Sequence, residues 1–213
     1  MPPTRRQLAD ASTELARRHR ALRGIVERVG PCDLRRGRPR QEHFAELTRM
    51  IVYQQLAGRA AAAIHGRFAA LFDDDRPTPE ATIALPVEAL RGAGLSGSKA
   101  ASIRDLAAKV LDGSVRLDRI ARHRDDEIVR QLTLVRGIGR WTAEMFLMFQ
   151  LGRLDVWPVD DYGVRKGYAL LFDHAELPTP KALMELGVPF RPYCSVAAWY
   201  CWRAVDTVVP DGT

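Results

Sequence analysis

Apolar positions recur along the chain at helical rather than alternating spacing. No stretch combines β-branched enrichment with a period of two over the length of a strand. The pattern predicts an all-α fold. A first helix is expected over residues 5–29, closed by the stop signal Gly30-Pro31, and a basic loop, Arg35-Arg36-Gly37-Arg38-Pro39-Arg40, follows it. That loop either meets phosphates or is simply solvated. Phe44, Leu47, Met50 and Ile51 then mark one helical face, which runs into Gln54-Gln55-Leu56 before Gly58 interrupts and an alanine-rich helix continues to Phe72. Two amides at the end of an apolar helix need a reason. Shorter helices are predicted over 79–84, 86–93, 99–111 and 125–135, separated by Gly, Pro, Ser and Asp. Leu90-Arg91-Gly92-Ala93-Gly94 is echoed 45 positions later by Val135-Arg136-Gly137-Ile138-Gly139, and both read as tight turns between helices built on two glycines.

Composition adds limits. The 213 residues are 46% hydrophobic and 27% charged, an ordinary globular balance, enough for one core or two small helical lobes. The longest uninterrupted apolar run, 196–202, has seven residues against the roughly 20 a membrane helix needs. The first twenty residues are polar and charged, without the apolar stretch of a secretory signal, and three cysteines cannot close a disulfide framework. A reducing intracellular setting is expected: cytoplasmic, on the nucleoid in a bacterium or in the nucleus of a eukaryote. The net charge of +6 suits a polyanionic partner without demanding one. Only Lys99, Lys109, Lys166 and Lys181 are lysines among 32 basic residues, which a GC-rich genome would also explain, but their scarcity limits amine chemistry.

Two motifs carry candidate chemistry. Leu132-Thr133-Leu134-Val135-Arg136-Gly137-Ile138-Gly139-Arg140-Trp141-Thr142-Ala143 reads as helix, glycine hairpin, helix. Glycine admits positive φ and lets the backbone amides of the next helix approach an anion, for which a duplex phosphate is the natural candidate; taken alone the segment is equally a plain turn between helices. Downstream, Leu154-Asp155-Val156-Trp157-Pro158-Val159-Asp160-Asp161-Tyr162-Gly163-Val164-Arg165-Lys166 is an extended apolar segment that delivers two carboxylates to a helix start. Either aspartate would serve as an N-cap.

Together the hairpin and the aspartate pair resemble the helix-hairpin-helix DNA glycosylase superfamily. Within it the chain is most similar to the 3-methyladenine DNA glycosylase II group, through Gly137 to Ala143, Asp155-Val156, Asp160-Asp161-Tyr162, Phe190-Arg191-Pro192-Tyr193 and Trp202. The resemblance spans residues 44–202. It implies a compact form without the N-terminal β domain of larger members: a central helical lobe, 43–153, containing the hairpin, and a second lobe from 1–42 with 154–213, the active-site cleft lying between them. By the same match Asp161 is the catalytic carboxylate, and Asp160 its capping or supporting neighbour. Bifunctional relatives carry a lysine where this chain has Trp141, so the resemblance implies direct displacement by water, leaving an abasic site, with Asp161 stabilising an oxocarbenium-like sugar.

Further roles follow from the resemblance. Trp141, Tyr162 and Trp202 are candidates for a base pocket, since a flipped, cationic alkylated purine stacks on aromatic faces; core packing is the alternative for each, and is the reading taken for Phe149, Trp157 and Trp199. Gln55, with Leu56 beside it, is expected to be the wedge that fills the gap in the duplex, unless the amide merely satisfies a helix end. Gly137, Ile138, Gly139 and Thr142 are expected at a DNA phosphate, and the backbone carbonyls of Thr133, Val135 and Ile138 at a monovalent cation, Na+ or K+. No iron-sulfur cluster is expected: Cys194 and Cys201 have the first spacing of the C-x6-C-x2-C-x5-C pattern of relatives, but Ala204 and Pro210 stand at the next two positions. Their spacing reads instead as one face of a buried helix, and the five histidines show no zinc spacing. The expected partner is double-stranded DNA bearing a damaged base, with the protein a monomer and no membrane involved. The rival readings are a bifunctional glycosylase/lyase and a non-catalytic DNA-binding module that uses the hairpin alone. Nothing ranks 3-methyladenine, 7-methylguanine, hypoxanthine and ethenoadenine as lesions.

Overall fold

A computed structural model describes residues 3–34 and 42–208, with the backbone only at Val208, so the basic loop 35–40 lies outside the described residues. The described residues form helices and turns and contain no strand. In chain order the helices are α1 (Arg5–Arg18), α2 (Arg20–Val29), α3 (His43–Tyr53), α4 (Gly58–Ala69), α5 (Pro79–Ala84), α6 (Val87–Gly92), α7 (Gly97–Leu111), α8 (Asp125–Leu132), α9 (Arg140–Met145), α10 (Tyr162–Leu171), α11 (Pro180–Leu186) and α12 (Cys194–Val208). Local chemistry sets many of the starts. Thr4 and Gln7 form a reciprocal capping box on α1. Thr78 and Thr179 cap α5 and α11, each with proline at the first helical position, and Ser96 caps α7.

The chain gathers into two compact units, residues 1–38 with 147–213, and residues 39–146. In the first, α1, α2, α10 and α12 pack on a core that includes Leu15, Leu22, Ile25, Val164 and Tyr200, all 0–2% exposed. The single helix expected over 5–29 is broken here at His19, which ends α1 and precedes α2 in an extended conformation. Tertiary contacts explain the break: the His19 ring meets Phe190 edge-on at 5.0 Å, and the Arg18 guanidinium donates to the Arg191 carbonyl at 3.0 Å. Neither contact is local, so nothing between residues 5 and 29 announces it. The expected stop at Gly30 holds, with Gly30 at φ +80 as C-cap. Cys194 and Cys201 are both buried on α12, as their spacing predicts.

In the second unit α7 packs against α3, α5 and α6, and α8 packs against α9. Leu47, Ile51, Phe68, Leu90, Ile103, Leu106 and Ile128 are fully buried there. The echoed glycine turns differ in backbone: Gly94 has φ +97 where its counterpart Gly139 has φ −88, and Gly137 has φ +76 where its counterpart Gly92 is the last residue of α6. α9 runs directly into a single π-helical turn, Phe146–Leu151.

Candidate active site

In the first unit, the extended segment leading to Asp161 is pinned from both sides. Ser195, buried on α12, receives the Val156 amide on its hydroxyl at 3.0 Å, donates to the Arg153 carbonyl at 2.8 Å, and its own amide donates to the Leu154 carbonyl at 2.9 Å. The Trp157 indole N–H donates to the Leu183 carbonyl at 2.7 Å, with its ring against Phe190. The segment ends at Asp161, which precedes the first residue of α10 and caps it: Oδ1 accepts the Val164 amide at 2.8 Å. The same oxygen accepts the Trp202 indole N–H at 2.8 Å. Trp202 stacks on Phe149 from the π turn, with ring centroids 5.8 Å apart and planes 21° apart.

Two glycines make this convergence possible. A Cβ at Gly163 would stand 2.8 Å from Trp202 Cδ1 and 3.1 Å from Asp161 Oδ1, so the indole reaches the carboxylate through the space a side chain would fill. A Cβ at Gly167 would run into the backbone of Cys201, so glycine there is what lets α10 and α12 approach closely. Burial pushes the Cys201 thiol well up, and the negative charge of nearby Asp161 pushes it further the same way.

In the second unit, α8, a turn and α9 form the hairpin. No side chain caps α9, whose N-cap is Gly139. The hairpin is fastened from outside: the Arg136 amide donates to Asp105 Oδ2 at 2.7 Å, and Gln54 Nε2 donates to the Gly137 carbonyl at 2.9 Å and to Thr142 Oγ1 at 3.3 Å. Gln54 thereby ties the end of α3 to the hairpin. The next residue, Gln55, is exposed at φ +57, a left-handed backbone conformation that costs a non-glycine residue energy.

A family model described as HhH-GPD superfamily base excision DNA repair protein matches residues 48–192. The chain belongs to this superfamily. It is 35% identical over 181 residues to DNA-3-methyladenine glycosylase 1 of Schizosaccharomyces pombe, covering 84% of this chain and 79% of that protein. Among solved structures, the Schizosaccharomyces pombe 3-methyladenine DNA glycosylase in complex with abasic DNA superposes with a TM-score of 0.82 at 32% identity, covering 96% of this chain and 99% of that one. A DNA-3-methyladenine glycosidase from Bacillus halodurans superposes with a TM-score of 0.82 at 36% identity, covering 92% and 89%.

Within this HhH-GPD protein, the residues singled out in sequence fall into two internally connected sets. Asp161, Trp202 and Tyr162 belong to the first unit, Tyr162 being 64% exposed at the start of α10. Gln55, Leu56, the hairpin glycines, Thr142 and Trp141 belong to the second, with Trp141 44% exposed. Ile138 and Thr142 are buried, so their side chains support the hairpin and only their backbone is suited to a phosphate. One expectation is corrected. Asp160 was expected as the capping or supporting neighbour, and the capping part is corrected: Asp160 is exposed and the cap is Asp161 itself, because the helix begins at Tyr162 and only the residue directly before it reaches the Val164 amide. Phe149, read as core packing, is the ring on which Trp202 lies. Lys99, which donates to the Gln54 carbonyl, and Ser102 and Asp105, which meet the hairpin turn, carried no signal beyond polar positions on a helix.

Proposed function

We propose that this HhH-GPD protein is a monofunctional base-excision-repair glycosylase that flips an alkylated purine of the 3-methyladenine type out of duplex DNA and hydrolyses its glycosidic bond. The observation that carries the reading is the Asp161 carboxylate held at the start of α10 by the Val164 amide and the Trp202 indole, with Tyr162 exposed next to it. A negative charge is favoured at a helix N-terminus. In the reaction the C1′–N bond breaks, its electron pair leaves with the base, and the Asp161 carboxylate stabilises the oxocarbenium-like sugar. Water then adds at C1′ and loses a proton, leaving an abasic site. A cationic alkylated base is already a good leaving group, so no strong general acid is required. Tryptophan at position 141 offers no amine for a Schiff base, which favours the monofunctional course.

Tyr162 and Trp202, beside Asp161, are the aromatic faces for the base in this reading, and Trp141 is a further aromatic candidate carried by the hairpin. Trp202 is already engaged through its N–H and one ring face, so the exposed ring of Tyr162 carries more of the stacking beside Asp161. Gln55 fills the gap in the duplex with Leu56, and the hairpin amides of Gly137, Gly139 and α9 take the phosphate. The carbonyls of Thr133, Val135 and Ile138 would be the hard oxygen ligands for a monovalent cation, which would supply positive charge for the phosphate. The fit is permissive. The Thr133 hydroxyl is turned back onto the carbonyls of Val129 and Arg130, and the Val135 carbonyl accepts the Ile138 amide at 3.1 Å on one of its two lone pairs. The protein would work in whichever compartment holds the cell's DNA.

Release of free bases from methylated duplex DNA, by wild type and by Asp161→Asn, tests the reading, with gel-shift binding to an abasic-site analogue in parallel. The expected result is 3-methyladenine release without strand nicking by wild type, no borohydride-trapped adduct, and a variant that binds but releases nothing. Wild type that frees no damaged base, or an Asp161→Asn variant of full activity, overturns it.

A further inference from the structure

The hairpin and the wedge loop share a support that neither the family match nor the catalytic reading assigns. Lys99, Ser102, Asp105 and Lys109 recur on α7 at spacings of three, three and four, which places them along one face of the helix. Each has a defined task. Lys99 Nζ donates to two backbone carbonyls at the end of α3, Val52 and Gln54, both at 2.7 Å. Ser102, 3% exposed, lies under the hairpin turn, where a Cβ on Gly137 would come within 2.6 Å of its hydroxyl. Asp105 accepts the Arg136 amide on one oxygen and pairs with Lys109 at 2.6 Å through the other.

A lysine at a helix C-terminus commonly satisfies orphan carbonyls, but here the two bonds do more than cap. They bracket Tyr53 and fix the direction in which the chain leaves α3. Gln54 follows at φ −55, ψ 130, its side chain aimed at the Gly137 carbonyl and the Thr142 hydroxyl, and Gln55 follows in the left-handed region. An unfavourable backbone conformation of this kind persists where its surroundings over-determine it. Lys99 on one side and the Gln54 bridge on the other are those surroundings.

We infer that the polar face of α7 is a positioning element that holds the Gln54–Gln55–Leu56 loop and the hairpin in one mutual geometry, with Lys99 and Gln54 as its decisive positioning residues. The inference rests on the reading of Gln55 as wedge and of the hairpin as the phosphate grip. The consequence is that the wedge enters the duplex at a set distance from the gripped phosphate. Lys99 and Gln54 then matter for base extrusion without touching the reacting atoms.

The test uses the full chain and the variants Lys99→Met, which keeps length and removes the donors, Lys99→Arg, which restores donors, and Gln54→Leu, which removes only the bridge. Backbone hydrogen exchange in the free protein is read at residues 54–57 and 136–139. Lys99→Met is expected to accelerate exchange at least tenfold in both segments, Lys99→Arg to return it to within threefold of wild type, and the Lys99→Met/Gln54→Leu double variant to exceed the worse single by no more than twofold. With duplex carrying an abasic-site analogue opposite 2-aminopurine, the fluorescence rise at saturating protein should fall by more than half in Lys99→Met, while affinity for undamaged duplex stays within twofold. Acceleration confined to 54–57, or additive effects in the double variant, would overturn the inference by making Lys99 a local helix cap. Should Lys99→Met not fold, Gln54→Leu carries the same two readouts alone. A wild type that gives no fluorescence rise, with exchange still coupled, sinks the wedge reading and leaves the coupling standing.

Discussion

A methyl group at position 163 separates the structural support of Asp161 from its chemistry. In Gly163→Ala the new Cβ would lie 2.8 Å from Trp202 Cδ1 and 3.1 Å from Nε1. Carbon pairs settle near 3.5 Å or beyond, so the indole must retreat by about 0.7 Å. It is a rigid ring stacked on Phe149, not a flexible tail, and a retreat along the bond would carry its 2.8 Å contact with Asp161 to about 3.5 Å, past hydrogen-bonding range. Loss of a hydrogen bond to a charged acceptor costs about 1.5–3 kcal/mol, and alanine in a helix returns about 0.5–1 kcal/mol relative to glycine. The net loss of about 0.5–2.5 kcal/mol corresponds to a Tm lower by about 1–10 °C in a chain of this size. Misplacement of a reacting group by about 1 Å costs about 100-fold, so single-turnover excision should slow by about 10- to 100-fold. Trp202→Phe, which removes the N–H without adding a methyl, should slow excision to a similar degree. If Gly163→Ala excises at the wild-type rate and its Tm rises by the helix gain alone, the indole does not position Asp161.

Other perturbations probe the supports and the core. Asp105 is a pH test of the hairpin: burial opposes its ionisation but is outweighed by Lys109 and the Arg136 amide, which hold its carboxyl below the ordinary value. A depressed folded value stabilises the fold above the unfolded value of about 3.9 and ceases to as pH falls through the folded value. The Tm gap between wild type and Asp105→Asn should therefore be steady from neutral pH down to about 5 and close below about 4, and a gap that instead widens in acid refutes the assignment. Gly167→Ala forces a methyl into the Cys201 backbone, which cannot yield as a side-chain tip does; a loss in or above the usual overpacking range of about 1–3 kcal/mol should lower Tm by at least about 2 °C. Burial pushes the Cys32 thiol up to about 12 and raises Cys194 and Cys201 as well, so a thiol reagent at pH 8 should find no fast-reacting cysteine in native protein and three after denaturation.

Much of the scaffold was legible because its signals are local. The period of Phe44, Leu47 and Ile51, the start of α5 at Pro79, and the glycine turn at 137 each express a preference that the surrounding fold does not contradict. What stayed hidden depends on partners distant in sequence. His19 breaks a helix because of Phe190 and Arg191, residues with no trace in the first thirty. Gly163 and Gly167 read as weak positions in a helix until α12 supplies the ring and the backbone that a Cβ would meet. Lys99, Ser102 and Asp105 read as the solvated side of an amphipathic helix, since nothing near α7 tells that α3 and the hairpin return to that face. The pair of glutamines at 54 and 55 was visible as an anomaly, and its two halves prove different: Gln54 is bound to the hairpin and Gln55 is exposed with a left-handed backbone.

Asp161 shows why local sequence alone could not decide between a cap and a reacting group. A capping aspartate and a charge-stabilising aspartate make the same demand, a carboxylate directly before the first turn of a helix. Here one oxygen takes two donors: Oδ1 closes the first turn through the Val164 amide and accepts the Trp202 indole N–H. The two roles part only when charge is removed and shape kept. Asparagine caps about as well as aspartate, so Asp161→Asn should keep the fold to within about 1 kcal/mol while excision falls by at least about 100-fold. A variant that loses stability and excision in parallel would mark the carboxylate as a structural cap. The indole is the element that capping does not explain. The capping bond is made by the Val164 amide to the Asp161 side chain, whereas Trp202, carried on α12 and given room by Gly163, adds a second donor to the same oxygen that capping does not require. That geometry fixes the carboxylate against rotation about its terminal bond, a constraint of use to a group that must face one carbon of a sugar and of little use to a cap.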